Sequence, residues 1–355
     1  MRELHLTRVS SRDIRFQDGI LKDVSRTFAL TIPTLPDRLS VVVGNAYLLC
    51  RIADTIEDEP GLSWRQKRYF SELFISVTNG EENGSVFARK LIPLLTDDTL
   101  LPEKDLVRHT ETVIRITNSF SVEQRSALTR CIKIMSNGMA EFQRNASCNG
   151  LTSLRDLDRY CYCVAGVVGE MLTDLFCNEV EIPNPRRKEL MRLAVSFGQG
   201  LQMTNILKDI WEDSARGVCW LPQDIFAGSG FPLKQLHQAE VNDCFEDGLG
   251  QMIAIAAEHL RDALAYTLTF PVKQTGIRRF CLWALGMAIL TLRKINNNRG
   301  FTRGEQVKIK RFSVKSTAMV TSLFASNDKI LTSLFEIGTR NLPKSTDVDR
   351  VGREF

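Results

Sequence analysis

A chain of 355 residues, 43% of them hydrophobic, carries enough apolar surface for one large core or two and reads as a globular protein. Its 46 Lys and Arg stand against 42 Asp and Glu, interspersed, so a net charge of +4 gives nucleic-acid binding no compositional support and leaves an anionic small substrate or a transient membrane surface as partners. Nine scattered cysteines without CxxC pairs fit reduced, mostly buried thiols, and His5, His109, His237 and His259 make no HxxxH pair, so no zinc site is expected.

In chain order, the N-terminal MRELHLTRVSSRDIRF has no apolar h-region, so no secretory signal is expected and the reading is cytoplasmic. Hydrophobic periodicity then predicts helices over 15–24, 38–57, 64–78, 104–118, 123–145, 153–177, 187–214, 240–269, 276–296 and 316–338. Little alternates with a period of two, which makes the fold class all-α. Pro33 and Pro36 break the chain before the second helix, while Gly80 to Gly84 and Asn178 to Pro185 read as loops. No biased linker and no repeat of 20 to 50 residues occurs, so one domain over 1–355 is expected, with a polar tail from about 341 that frays. The longest apolar runs, SVVVGNAYLLC and FCLWALGMAILTL, fall short of the roughly 20 residues a bilayer requires, so no transmembrane segment is expected.

Two stretches carry chemistry. In FGQGLQMTNILKDIWEDSARGVCWLP, Asn205, Asp209 and Asp213 are four residues apart. A helix running through them offsets each by about 40° around the axis and about 6 Å along it, which puts three oxygen ligands on one stripe. In RIADTIEDEP, Asp54 and Asp58 repeat that spacing with Glu57 beside them. For either helix alone, acidic residues facing water are the plainer reading. Two such helices facing each other across a cavity can clamp Mg2+, which takes octahedral oxygen and binds substrate phosphates through only one or two carboxylates. That arrangement suits diphosphate chemistry beside an apolar, water-free pocket.

The ordered set Ser25-Arg26-Thr27-Phe28, Tyr47 with CRIADTIED, YCYCVAGVVG from Tyr160 to Gly169, and QMTNILKDIWED followed by WLPQD resembles the squalene and phytoene synthase family over nearly the whole chain. The resemblance implies a single-domain all-α isoprenoid synthase bundle around a central apolar cavity, Mg2+, and head-to-head joining of two prenyl diphosphates. By resemblance, Asp54, Asp58, Asp209 and Asp213 are Mg2+ ligands or their immediate support, with Glu57, Glu212 and Asn205 beside them. Arg26, Arg51 and Lys208 face diphosphate oxygens, a bidentate guanidinium suiting phosphate and Lys serving as a point charge. Lys208 stands where the family often has Arg. A salt bridge to nearby acids is the alternative for both arginines, Asp54 being close enough to Arg51 to make one.

Tyr160 matches a tyrosine implicated in the first half-reaction, where a phenol can donate a hydrogen bond or relay a proton. Ser25, Phe28, Tyr47, Val164, Leu172 and Gln202 fall at substrate-pocket positions, with core packing as the competing reading for the apolar ones. Gly166 and Gly169 within a predicted helix each cost roughly 1 kcal/mol relative to Ala, which implies close approach of either a prenyl chain or a neighbouring helix.

The last third bears on the product. Squalene-forming members reduce the rearranged cation with NADPH, whereas phytoene and dehydrosqualene synthases lose a proton. RRFCLWALGMAILTL, with Phe280 and Cys281, and the basic VKIKR, with Lys308 and Lys310, resemble the squalene-forming segments that meet the cofactor, although Arg278 departs from an expected aromatic. NADPH rests on that resemblance alone, since Gly198 and Gly200 lack the third glycine and the strand-turn-helix context of a dinucleotide fingerprint. The expectation is therefore a Mg2+- and NADPH-dependent enzyme acting on two molecules of farnesyl diphosphate. Three alternatives stand beside it: a reductant-free synthase of the same fold, one that stops at presqualene diphosphate, and a non-catalytic assembly relative. A water-insoluble product also implies peripheral docking at a membrane surface.

Overall fold

A computed structural model describes residues 10–25, 27–180, 182, 184–238 and 242–344. Its contacts gather the chain into two compact units, Met1–Arg144 with Glu170–Ile182 and Asn145–Gly169 with Pro183–Phe355. The fold is all-α, and the one β-type pairing among the described residues is an isolated bridge between Leu151 and Pro222.

The first unit is built on a central helix. It opens with α1 (Ser11–Val24), started by the Ser10 hydroxyl, which accepts from the Asp13 N–H at 3.1 Å, and the short α2 (Phe28–Thr31). Pro33 and Pro36 hold a 3-10 turn ahead of α3 (Asp37–Asp58), the central helix, because proline fixes φ and supplies no N–H. Around it follow α4 (Trp64–Thr78), α5 (Gly84–Leu91), α6 (Leu101–Arg108), α7 (Thr110–Thr117) and α8 (Val122–Arg144). Helix α3 buries Leu39, Val42, Val43, Ala46, Leu49, Ile52, Ala53 and Ile56, with α4, α7 and α8 among its neighbours. Its buried Asn45 is satisfied across the core, donating to the Val113 carbonyl at 3.0 Å and accepting from the Thr117 hydroxyl at 2.7 Å.

The end of α3 is tied down by Glu59. That buried carboxylate accepts from the N–H of Gly61 and of Thr96 at 2.8 and 2.9 Å and from the hydroxyls of Thr96 and Thr99 at 2.7 and 2.6 Å. Burial alone would raise its pKa, and the donors outweigh burial, so the carboxyl sits below its usual range.

In the second unit α9 (Leu154–Cys161) passes through a π-helical turn, Tyr162–Gly166, into α10 (Val167–Glu179), most of which belongs to the first unit. Then come α11 (Asn184–Lys208), α12 (Ile210–Ala215), α13 (Gln223–Gly228), α14 (Asp243–Thr269), α15 (Thr275–Asn296), α16 (Arg311–Leu323) and α17 (Asp328–Thr339). Glycines let α11 approach its neighbours. A Cβ on Gly169 would overlap the Ala194 carbonyl, one on Gly198 would overlap the Ala165 carbonyl, and one on Gly200 would lie 2.8 Å from the His259 Cβ. The close approach implied by Gly166 and Gly169 is thus that of a helix, with Val195 and Ala194 as the facing residues. Across α11 and α14 the Ser196 hydroxyl donates to Asp262 Oδ2 at 2.8 Å and lies 2.7 Å from His259 Nδ1.

Three long helices expected from periodicity are divided. The stretch 104–118 breaks at His109 into α6 and α7, and 316–338 breaks into α16 and α17, where the Asn327 side chain accepts from the Ile330 N–H at 3.1 Å and starts a new helix. The stretch 187–214 breaks at Asp209, whose φ of −100° and ψ of 14° leave the helical basin. The i−4 hydrogen bonds from Asp209 to Asn205 and from Asp213 to Asp209 nonetheless persist, each at 2.9 Å. Helices α2, α5 and α13 had no predicted counterpart, being one or two turns long.

The argument from uninterrupted apolar runs is also corrected. By length and composition alone, α3, α15 and the continuous helix Leu154–Glu179 are long and apolar enough to cross a bilayer. The shares of their most apolar windows buried by the protein itself are 67%, 56% and 44% in that order. All nine cysteines are free thiols, and five of them are buried. The polar tail is described as far as Lys344, and the rest of it lies outside the described residues, as does the backbone of Arg26.

Candidate functional site

In the first unit the sequence-predicted residues meet at the C-terminal half of α3. Positions 47, 51, 54 and 58 fall on one stripe of that helix, as a 3.6-residue period requires. The Tyr47 ring lies 5.1 Å from that of Phe28, its hydroxyl donates to the Val24 carbonyl at 3.2 Å, and the Ser25 hydroxyl accepts from the Phe28 N–H at 2.9 Å. Burial raises the Tyr47 phenol above its usual pKa, with Ser25 and Arg51 opposing and Asp54 adding, so Ser25, Tyr47, Arg51 and Asp54 share one electrostatic environment.

Arg51 is held from two sides. Its Nη2 donates to Glu103 of α6, and its Nη1 lies 3.8 Å from Asp54 Oδ2, which is the salt bridge anticipated as the alternative reading. Its buried Nε has no hydrogen-bond partner, so the guanidinium keeps unused donor capacity. Burial pushes the Asp54 carboxyl up to about 7, Arg51 opposing and the charges of Asp58 and Glu103 adding. Glu57 goes up to about 8 through burial and the charges of Asp58 and Asp54. Gln143 donates to its Oε1 at 3.3 Å, and the Lys67 ammonium donates to its main-chain carbonyl. A cation placed beside carboxylates raised in this way would favour their ionised form.

In the second unit the acids are spread along α11 and α12. Asp209 is half-buried, 3.1 Å from Lys208 Nζ, and burial lifts its carboxyl against the pull of that lysine. Asp213 accepts from Arg216 at 2.9 Å. Glu212 turns elsewhere and accepts from the Gly304 N–H at 3.1 Å. Asn205 is exposed, one helical turn before Asp209, and Gln202 is half-buried. Tyr160 is buried, its ring stacked on Trp220 at 4.2 Å with 8° between planes, and Val164 is buried within the π-turn that follows. Leu172 is half-buried on α10, in the first unit.

Fit to a metal can be tested on this donor set. Among the described residues no three His, Cys, Asp or Glu side chains converge as around an ion. Mg2+ does not require such a cluster, since it takes one or two carboxylates and completes its shell with water and substrate phosphates. The proposed nucleotide residues behave otherwise. Phe280 and Cys281 are enclosed in the core, burial pushing the Cys281 thiol up to about 12, while Lys308 and Lys310 are exposed. They do not fit a nucleotide cradle.

Glu103, Lys67, Gln143 and Arg216 had not been singled out from the sequence. Arg216 was legible, three residues after Asp213 on one helical turn. The other three reach the end of α3 from 10 to 86 residues away, and no local pattern announces them.

Comparison with known proteins adds to this. Residues 21–313 match the squalene/phytoene synthase family model. The chain is 30% identical to a squalene synthase of Gibberella zeae over 80% of its own length and 61% of that protein's. With a squalene synthase of Saccharomyces cerevisiae it shares 30% identity over 82% of its own length and 63% of that protein's, and with that of Rattus norvegicus 29% over 82% and 65%. It therefore spans about three-fifths of the length of these relatives. Among solved structures, a ligand complex of TcSQS superposes with a TM-score of 0.74 at 22% identity, covering 94% of this chain and 92% of that one. A dehydrosqualene synthase with bound ligand gives 0.64 at 19%, covering 92% and 97%, and both likenesses speak for the fold.

Proposed function

This chain belongs to the squalene/phytoene synthase family, and from that premise we propose that it is a prenyltransferase joining two farnesyl diphosphates head to head, first to presqualene diphosphate and then to squalene. The observation that carries the reading is the crowding of Asp54, Glu57 and Asp58 at the end of α3, which raises the carboxyls of Asp54 and Glu57, beside Arg51, whose Nε has no hydrogen-bond partner. Asp54 and Asp58 on α3 would hold Mg2+, and so would Asp209 and Asp213, with Asn205 in support, at the end of α11. Bound there, the ion would neutralise charge developing on the departing diphosphate.

The chain's own groups supply the rest. Arg51 offers hydrogen bonds to phosphate oxygens, and Lys208 a point charge whose present partner is Asp209. The bond from C1 of one farnesyl group to its diphosphate breaks, a double bond of the other group attacks, and a proton leaves to close the cyclopropane. Tyr160, packed flat on Trp220, places a phenol in an apolar wall suited to that proton or to the cation. Burial around Tyr160 and Val164 keeps water from it.

The reading includes NADPH as reductant of the second half-reaction, supported by the likeness to squalene synthases. Phe280, Cys281, Lys308 and Lys310 form no cradle for it, and that misfit favours a second reading in which the rearranged cation ends by proton loss. Incubation of the protein with farnesyl diphosphate and Mg2+, with and without NADPH, separates the two. Squalene formed only with NADPH is expected, and dehydrosqualene in both tubes selects the second reading. An Asp54→Asn variant that still released diphosphate at the native rate would refute the metal assignment.

A further inference from the structure

Helix α16 is patterned the wrong way round for a helix that only covers a core. Thr317 and Ser322 make inward contacts, and Val314 and Val320 are only half-buried. Thr317 lies against Gly286 of α15 so closely that a Cβ there would overlap it, and the Ser322 hydroxyl accepts from the Trp283 indole N–H at 2.9 Å. No residue of α16 is buried. The large apolar side chains point out instead, with Phe312 79%, Met319 69% and Leu323 75% exposed. Positions 312, 319 and 323 fall within about 40° of one another around the axis, so they form a single stripe.

Along the segment that bears that stripe, between Glu305 and Asp328, the charge has one sign. From Val307 to Asn327 the chain carries Lys308, Lys310, Arg311 and Lys315 and not one Asp or Glu. All four are exposed, at the entrance and along the first turns of the helix. Exposed Phe and Leu flanked by cations match an interfacial helix that lies in the headgroup region of an anionic bilayer. A second copy of the chain would set these cations against themselves across a two-fold contact, which disfavours self-association through the same face.

We propose that the α16 face docks on an anionic membrane surface, with Phe312, Met319 and Leu323 entering the acyl boundary and the four basic side chains meeting lipid phosphates. The proposal stands on the surface alone and holds or fails independently of the reaction assigned above.

Flotation of the full chain with phosphatidylcholine vesicles, with and without phosphatidylserine, tests it. Co-flotation is expected with phosphatidylserine and is expected to fall with added salt. A variant carrying Phe312→Ser and Leu323→Ser should partition on the order of a hundredfold more weakly, with an unchanged circular-dichroism spectrum and melting temperature because both side chains are exposed. Equal flotation with uncharged vesicles, retention of binding by the double variant, or a wild-type dimer that the double variant converts to monomer would each overturn the proposal, the last in favour of a second copy.

Discussion

A single helix turn decides much of the chemistry proposed here. Asp54 and Glu57 stand at about 7 and about 8, well above the range of carboxyls in an unfolded chain. Groups raised in this way hold protons in the folded protein that the unfolded chain has released. Their contribution to stability is therefore lost as pH rises from about 4 through about 8. In chelator, the melting temperature should fall across that interval, and Mg2+ should restore more of it at pH 8 than at pH 5; a thermal-shift series over pH, with and without the ion, reads both effects. A flat profile in chelator would mean that these carboxylates are better solvated than their surroundings imply. The stripe of Tyr47, Arg51, Asp54 and Asp58 was readable in the sequence because one helix spaces all four. Glu103, which holds Arg51 across 52 residues, was not, since only the folded path of α6 brings it there.

Between elements, two contacts make opposite predictions. At the crossing of α11 with the helix before it, Gly198→Ala drives a methyl into the Ala165 carbonyl, and backbone cannot swing aside as a side chain can. A loss of about 1–3 kcal/mol is expected in urea unfolding. The second contact is Arg278 of α15, 0% exposed, whose described counter-charge is Asp328 at the start of α17, while its Nε and Nη1 have no partner. Asp328→Asn leaves that cation uncompensated in the core and should cost about 3–5 kcal/mol. Arg278→Met should be nearly neutral or stabilising, because Asp328 is half exposed and sits where a helix N-terminus favours an anion. Unfolding curves of the pair test the asymmetry. Helix existence was legible from periodicity, but the breaks at His109, Asp209 and Asn327 were not, because an apolar period runs on through a residue whose backbone leaves the helical basin.

At the scale of the molecule, the acids needed for the proposed reaction are divided between the two compact units. If both sets serve one turnover, Asp54→Asn and Asp209→Asn should each abolish diphosphate release, and the double variant should be no worse than either alone, as groups acting together are not additive. Initial rates of the three variants check this, and independent fractional losses that multiply would contradict it. All-α architecture was plain from composition and period. The division into units was not, because the chain passes from one to the other inside the continuous helix Leu154–Glu179, with no change of composition to mark the crossing.

The π-helical turn at Tyr162–Gly166 has a hereditary consequence. A π-turn spends one residue more than an α-turn, so everything downstream carries a phase lag of about 100° relative to an uninterrupted spiral. Excising a single codon there would remove the lag together with the extra residue, so the spiral would close up regularly with Gly169 still against the Ala194 carbonyl, whereas straightening the turn at constant length would wheel Gly169 off it. The interval between Tyr160 and Gly169 thus tolerates change in one direction, and in this stretch a one-residue deletion should be borne far more readily than a one-residue insertion.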